Sequence, residues 1–337
     1  MQEINASGYF FSGPSISLEK REFKISQILP NAVVVQVAGC GLCHTDLSFL
    51  TQSVKTKQTP PLILGHEISG KVVAAEKNYE NLIGSNVIVP AVLPCGECEF
   101  CQNERENICQ KQKMPGNDFN GGFASHIVVP AKFLCVLPKN LKTFELSQLS
   151  VIADAVTTPY QSALRSRIQR LDVAIVIGVG GIGIYMVQHA RNAGALVIAI
   201  DIDEKKLQNA NSQGAVFSIC AKNKDEKQIK LALRDFISKN NLAQYRWKIF
   251  ETSGTQAGQN LAFSLLTYGA TLGIIGFTMD KLQIRLSNLM AFDADVFGNW
   301  GCRPAYYANV VDEVLSGKIN LLDNIQEFSL DSINQVI

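Results

Sequence analysis

Cys43 and His66 are the side chains of this chain best suited to hold a metal that acts on a substrate. They lie in Gly39-Cys40-Gly41-Leu42-Cys43-His44-Thr45-Asp46 and in Gly65-His66-Glu67. A thiolate and an imidazole nitrogen are soft and borderline donors that zinc favours, and a catalytic zinc keeps one position open for substrate. The pair reads as half of such a site, and Thr45 brings a hydroxyl within reach of the open position. Two plainer readings stand beside it. Cys40-x-x-Cys43 has the spacing of a redox pair, and a lone histidine often serves structure alone.

A second constellation is closed. Cys95-x-x-Cys98-x-x-Cys101 followed by Cys109 places four thiolates in one short loop, enough to fill a tetrahedral zinc. With no position left for substrate, such a zinc is structural. Two disulfides are the alternative, and a reducing compartment opposes them. A nucleic-acid-binding zinc module is another alternative, but Glu97, Glu99, Glu104 and Glu106 would repel phosphate.

The third constellation would bind a dinucleotide. Val-Ala-Ile-Val-Ile at 173–177 leads into Gly178-Val179-Gly180-Gly181-Ile182-Gly183, and a helical pattern follows through Arg191. A strand before this glycine spacing and a helix after it are the context the motif requires. The glycines permit a tight turn, and a pyrophosphate then meets the unpaired N–H groups of the helix amino terminus. Asp201 ends the next strand. A carboxylate there accepts hydrogen bonds from the adenosine ribose and repels a 2′-phosphate, which favours NAD over NADP. Lys206 is a candidate helper at the ribose, or else part of a solvated helix face.

The elements that must carry these residues change in texture along the chain. Up to about residue 150 the sequence reads as β-rich, with short apolar or β-branched runs at 32–38, 68–74, 87–92 and 125–129. From there to about 290, strands alternate with helices, and strand candidates fall at 173–178, 196–200, 247–252 and 270–276. The fold class is α/β, with a doubly wound dinucleotide-binding part.

The chain of 337 residues has room for about two domains. Its 47% hydrophobic and 18% charged residues are those of an ordinary globular protein. A formal net charge of +1 gives no general footprint for nucleic acid or a membrane surface. Met1 to Phe23 lacks a basic segment followed by a long apolar run, and Val173 to Val187 is short and glycine-broken, so neither a secretory signal nor a membrane span is expected. Nine cysteines without a signal fit metal ligands and free thiols in the cytoplasm.

Taken together, Gly41-x-Cys43-His44-Thr45-Asp46, Gly65-His66-Glu67, the four-cysteine lobe, Gly178-x-Gly180-Gly181-x-Gly183 and Asp201 resemble the medium-chain, zinc-dependent alcohol dehydrogenases over nearly the whole chain. The resemblance implies a GroES-like catalytic domain at 1–153 with a structural zinc lobe at 95–109, and a Rossmann NAD-binding domain at 154–288. It also implies a return to the catalytic domain at 289–337, with that last part cut short after a helix start at Ser329-Leu330-Asp331-Ser332. A homodimer or homotetramer is expected from the family alone. The same resemblance places Asp154, within Ile152-Ala153-Asp154-Ala155-Val156, as the third ligand of the catalytic zinc, where cysteine is common; the carboxylate would otherwise cap a helix. Glu67 matches a carboxylate that approaches the zinc during ligand exchange, and His44 a basic position near the cofactor pyrophosphate. Ser48 stands where the family often has a histidine that relays protons. His126 and His189 carry no motif.

Further segments narrow the resemblance. Lys113-Met114-Pro115-Gly116-Asn117, Gly121-Gly122-Phe123-Ala124-Ser125-His126, Asp154 to Tyr160, Leu289 to Ala294 and Trp300-Gly301-Cys302 are similar to the branch that oxidises alicyclic alcohols carried as CoA thioesters in anaerobic aromatic degradation. That implies a small-molecule CoA thioester as substrate, with Lys55, Lys57, Lys281 or Arg303 as candidate phosphate contacts.

Overall fold

Runs of β-branched residues set the sheets. The computed structural model describes residues 3–52 and 54–337, so the reading of Met1–Phe23 begins on residues outside those described. The chain divides into two units. The first takes Met1–Thr157, Gly301–Gly317 and Leu321–Ile337, and the second takes Thr158–Trp300 and Lys318–Asn320.

In the first unit the strands are β1 (Ile4–Phe11), β2 (Glu19–Ile25), β3 (Ala32–Gly41), β4 (Leu62–Ile63), β5 (Glu67–Ala75), β6 (Asn86–Val89), β7 (His126–Pro130) and β8 (Cys135–Val136). Five form an antiparallel sheet in the order β7-β3-β5-β6-β8, and three form a second sheet, β2-β1-β4. Val33, Val35, Ile68, Val72, Val87 and Val89 interlock as one core. The charged strand β2, Glu-Lys-Arg-Glu-Phe-Lys-Ile, lies on an edge, where charge discourages pairing with another chain.

The β3–β5 register is what positions chemistry. Gly41 pairs with Glu67 and Cys40 with Ile68, so the loop after β3 and the residue before β5 emerge at the same end of the sheet. The approach is close: a Cβ on Gly41 would lie 2.1 Å from Glu67 Oε2, which only glycine avoids.

The segment 301–337 seals this unit. Ile333 enters the core of Tyr9, Phe49 and Leu62. Asp331 accepts from the Tyr9 hydroxyl at 2.7 Å and from Lys20 at 2.6 Å, and the Asn334 amide bonds both backbone groups of Leu18. The expected helix start is seen as a single turn, Leu330–Ser332, running into Ile333–Val336.

In the second unit β9 (Val173–Ile177), β10 (Leu196–Asp201), β11 (Ala215–Cys220), β12 (Lys248–Glu251), β13 (Thr271–Ile274) and β14 (Asp295–Gly298) make one parallel sheet, ordered β11-β10-β9-β12-β13-β14. The central strand β9 is buried along its full length, as a parallel strand covered on both faces should be. All six strands run the same way, but the strand order changes sides between β9 and β12: β10 and β11 add on one side and β12, β13 and β14 on the other, the switch point at which such sheets bind ligands. Residues 289–300, expected with the catalytic part, belong here instead, because β14 completes the sheet by pairing with β13. Lys318–Asn320 also returns here, held by the Gln188 side chain, which bonds both backbone groups of Asn320. Among the described residues no helix is long and apolar enough to cross a membrane.

Candidate active site

Cys43 is the N-cap of helix His44–Thr51, and Asp46 accepts its N–H at 3.1 Å through Oδ2. The other oxygen of Asp46 accepts the Gly65 N–H at 3.0 Å and stands 3.7 Å from His66 Nδ1. One buried carboxylate thus pins the loop bearing Cys43 to the turn bearing His66. The motif around Cys43 does not by itself reveal this clamp; the sequence signal for it is an acid three residues after an N-cap.

Around this clamp, Cys43, His66, Glu67 and Asp154 bring one donor atom each to within 4.8 Å of one another. Asp154 arrives at the end of the 3₁₀ helix Ser147–Ala153, in a backbone conformation (φ −143°, ψ −58°) that ends the helix, so it is no N-cap. His66 Nε2 lies 3.6 Å from Asp154 Oδ2. Both ring nitrogens of His66 are buried and lack a hydrogen-bond partner within the protein. Burial alone would lower the His66 pKa, but the Asp46 carboxylate and the Cys43 sulfur outweigh it and hold it well above its usual value. Burial, then repulsion from Asp154, lifts Glu67 to about 8. Burial likewise raises Cys43. A donor set that clings to protons in this way is one a dication can occupy by displacing them, so the residues fit a zinc.

Thr45 Oγ1 lies 3.8 Å from Cys43 Sγ, beside the same donors. The Ser48 hydroxyl donates to the Thr45 carbonyl at 2.7 Å, which commits its proton to the helix backbone. His44 is exposed and outside the donor cluster. Cys40 is also outside it. Its thiol is free, and burial pushes it well up. His126 bonds Ser125 Oγ at 3.0 Å, and buried His189 meets the Tyr160 ring edge-on.

The four-cysteine loop is a separate cage. Its sulfurs are 3.5 to 3.9 Å apart across Cys95–Cys109, Cys98–Cys101, Cys98–Cys109 and Cys95–Cys101. Disulfides are far shorter, whereas Zn–S bonds of about 2.3 Å set tetrahedral sulfurs roughly 3.8 Å apart. Backbone N–H groups hold Cys95 down to about 6 and lower Cys98, while burial raises Cys101 and Cys109. Arg303 reaches into this loop, donating to both oxygens of Glu106 at 2.6 and 3.3 Å.

In the second unit the glycine turn is shaped to receive a ligand. A Cβ on Gly183 would strike the Gly178 carbonyl at 1.8 Å, so helix and strand can approach only without one. Side chains would meet nothing within 4 Å at Gly181, which leaves the open cradle a pyrophosphate needs. Lys206 Nζ comes to 3.9 Å from the Cβ position of Gly180. Asp201 accepts from Val179 N–H at 2.8 Å through Oδ2 and from Asp203 N–H at 3.0 Å through Oδ1. Its carboxylate thus holds the turn that follows β9.

A metal-binding β-rich unit and a dinucleotide-binding α/β unit define an oxidoreductase of the nicotinamide type. Residues 29–139 match the alcohol dehydrogenase GroES-like domain, and residues 181–316 match the zinc-binding dehydrogenase domain. An alcohol dehydrogenase of Geobacillus stearothermophilus is 27% identical over 322 residues, 95% of this chain and 91% of that one. Galactitol-1-phosphate dehydrogenase of Escherichia coli is 25% identical, with a TM-score of 0.87 over 98% of this chain and 95% of that one. The alcohol dehydrogenase of Aeropyrum pernix superposes with the same TM-score at 24% identity, over 98% and 95% of the two chains. The chain belongs to the zinc-dependent medium-chain alcohol dehydrogenase family. It is an oxidoreductase acting on CH–OH groups, with zinc and NAD as cofactors.

Proposed function

We propose that this enzyme oxidises a secondary ring alcohol carried as a CoA thioester, 6-hydroxycyclohex-1-ene-1-carbonyl-CoA, to 6-oxocyclohex-1-ene-1-carbonyl-CoA, with NAD taking the hydride and one proton released. The observation that carries the alcohol chemistry is the Cys43, His66 and Asp154 donor set with the Thr45 hydroxyl beside it. The substrate rests on the segments 113–117, 121–126, 154–160, 289–294 and 300–302.

Cys43, His66 and Asp154 would hold the catalytic zinc, and Cys95, Cys98, Cys101 and Cys109 the structural one. When bound, the catalytic zinc supplies Lewis acidity that lowers the pKa of the substrate hydroxyl, and NAD supplies the hydride acceptor. Thr45 Oγ1 would accept the hydroxyl proton. Glu67 is the carboxylate available when ligands exchange, and Asp46 keeps Cys43 and His66 oriented. Gly178, Gly180, Gly181 and Gly183 receive the pyrophosphate, Asp201 the ribose hydroxyls, and Lys206 assists at the ribose. His44, exposed beside Thr45, is a phosphate contact or an alternative relay.

For the CoA phosphates the candidates are Lys55, Lys57, Lys281 and Arg303; Arg303 also pairs with Glu106, and the exposed Lys57 with Asp118 at 3.2 Å.

The test is NADH formation when zinc-loaded protein meets NAD and the thioester, beside cyclohexanol and a polyol. Fast turnover of the thioester alone supports the reading. Turnover of a simple alcohol or polyol instead keeps the zinc mechanism and discards the substrate. NAD binding with no turnover of any alcohol favours a silent scaffold.

A further inference from the structure

We infer that Tyr307 is a positioning residue for the metal ligand Asp154, an inference that rests on the reading of Asp154 as a ligand. Tyr307 opens the helix Tyr307–Leu315, is 1% exposed, and lies more than a hundred residues from every other member of the site. Its hydroxyl donates to the Ala153 carbonyl at 2.5 Å and accepts the Ala91 N–H at 3.3 Å. The Ala91 N–H also faces the Ala153 carbonyl, at 3.5 Å. The phenol therefore closes a small buried network on the peptide unit that joins Ala153 to Asp154.

That peptide needs an anchor. Asp154 sits where the 3₁₀ helix has already ended, so no regular ladder of backbone bonds fixes its Cα. An aspartate side chain is short, and its carboxylate goes where the Cα sends it. Metal–ligand distances tolerate only about 0.2 Å of error, so a loose peptide here becomes a poor ligand. A phenylalanine at 307 would fill the same space, and the packing alone does not call for the hydroxyl. What the hydroxyl adds is a rigid arm, with two rotatable bonds, that fixes the carbonyl preceding the ligand. Bonded on both sides in a dry interior, it resists displacement by water.

The experiment measures zinc affinity at both sites of the whole protein by chelator competition, in wild type, Y307F, D154A and the double variant. The four-cysteine site in the same chain reports on folding. Y307F should weaken the zinc held by Cys43, His66 and Asp154 by about ten- to a hundredfold, the usual effect of losing a partner behind a ligand, and leave the four-cysteine zinc unchanged. In the D154A background Y307F should have no further effect, because the ligand through which it acts is gone. Unchanged affinity in Y307F, or an equal loss in both backgrounds, overturns the inference. Unchanged affinity in D154A itself overturns the underlying ligand assignment, a different result. Should Y307F fail to hold even the four-cysteine zinc, wild-type and D154A chains bearing 3-fluorotyrosine at position 307 decide instead. The fluorine resonance should move on loading the catalytic set in the former and stay still in the latter; no movement in either overturns it.

Discussion

His66 Nε2 and Asp154 Oδ2 stand 3.6 Å apart, too far for a good hydrogen bond and close to the separation of two ligands on one ion. Zinc bonds of about 2.0–2.1 Å place tetrahedral nitrogen and oxygen donors roughly 3.3–3.4 Å apart, so a small adjustment would seat the metal.

Replacing Asp154 with alanine should lower the zinc content from two ions per chain to one, with the remaining ion in the four-cysteine loop. Alcohol oxidation should fall by at least about a thousandfold, the share expected of a metal that stabilises developing charge by several kcal/mol. Metal analysis beside steady-state kinetics checks this, and two ions per chain in the variant would remove Asp154 from the ligand set.

Thr45 is the first proton acceptor of the proposed mechanism, with His44 the alternative relay. Thr45→Val should cut kcat by about a hundred- to ten-thousandfold with zinc content intact, whereas Thr45→Ser keeps the hydroxyl and most of the rate. If the valine variant turns over normally, the proton leaves by another route.

Asp201 should resist a simple cofactor switch. Its Oδ2 supports the Val179 N–H of the glycine turn, so Asp201→Ala loses that support together with the ribose contact. Expected is a rise in KM for NAD of about ten- to a hundredfold, with no useful gain for NADP. Asp201→Asn keeps an acceptor for Val179 and removes the charge that repels a 2′-phosphate, so it should narrow the preference more. Efficient NADP use by the alanine variant would contradict the double role.

Glu251 offers a pH test. Its side chain is fully buried at the end of β12, where Oε1 accepts from the Ser253 N–H at 2.8 Å and the Gly254 N–H at 3.2 Å. Burial raises its pKa above the usual carboxylate range, and these hydrogen bonds only partly offset the rise. The folded state thus binds this proton more tightly than the unfolded state. The associated stability is complete below the unfolded pKa and is lost as pH rises through the folded one. Glu251→Gln should therefore be more stable than wild type near neutrality, with the gain vanishing in mild acid. Thermal unfolding at several pH values measures it, and a gain that grows toward low pH would reverse the sign.

The parts legible in the sequence are those whose partners lie close along the chain. The four cysteines share one loop, and the glycine turn sits between its own strand and helix. Strands β9, β10, β12 and β13 were expected near their observed places because each is a dense apolar run bounded by turn residues. β11 and β14 were not expected. Ala-Val-Phe-Ser-Ile-Cys and Asp-Val-Phe-Gly are short strands toward the sheet's edges, where one exposed face dilutes the hydrophobic signal. The charged edge strand β2 was hidden for a related reason. Tyr307 was invisible because nothing local to Arg-Pro-Ala-Tyr-Tyr indicates that a distant carbonyl at Ala153 will take its hydroxyl.

Arg303 ties the four-cysteine loop to the strand of chain that leads into Tyr307. It donates to both oxygens of Glu106, so a change in the shape of that loop would carry through Arg303 to the residues that open the helix of Tyr307. The four-cysteine loop and the Cys43, His66 and Asp154 set thus share one path of contacts although they share no ligand.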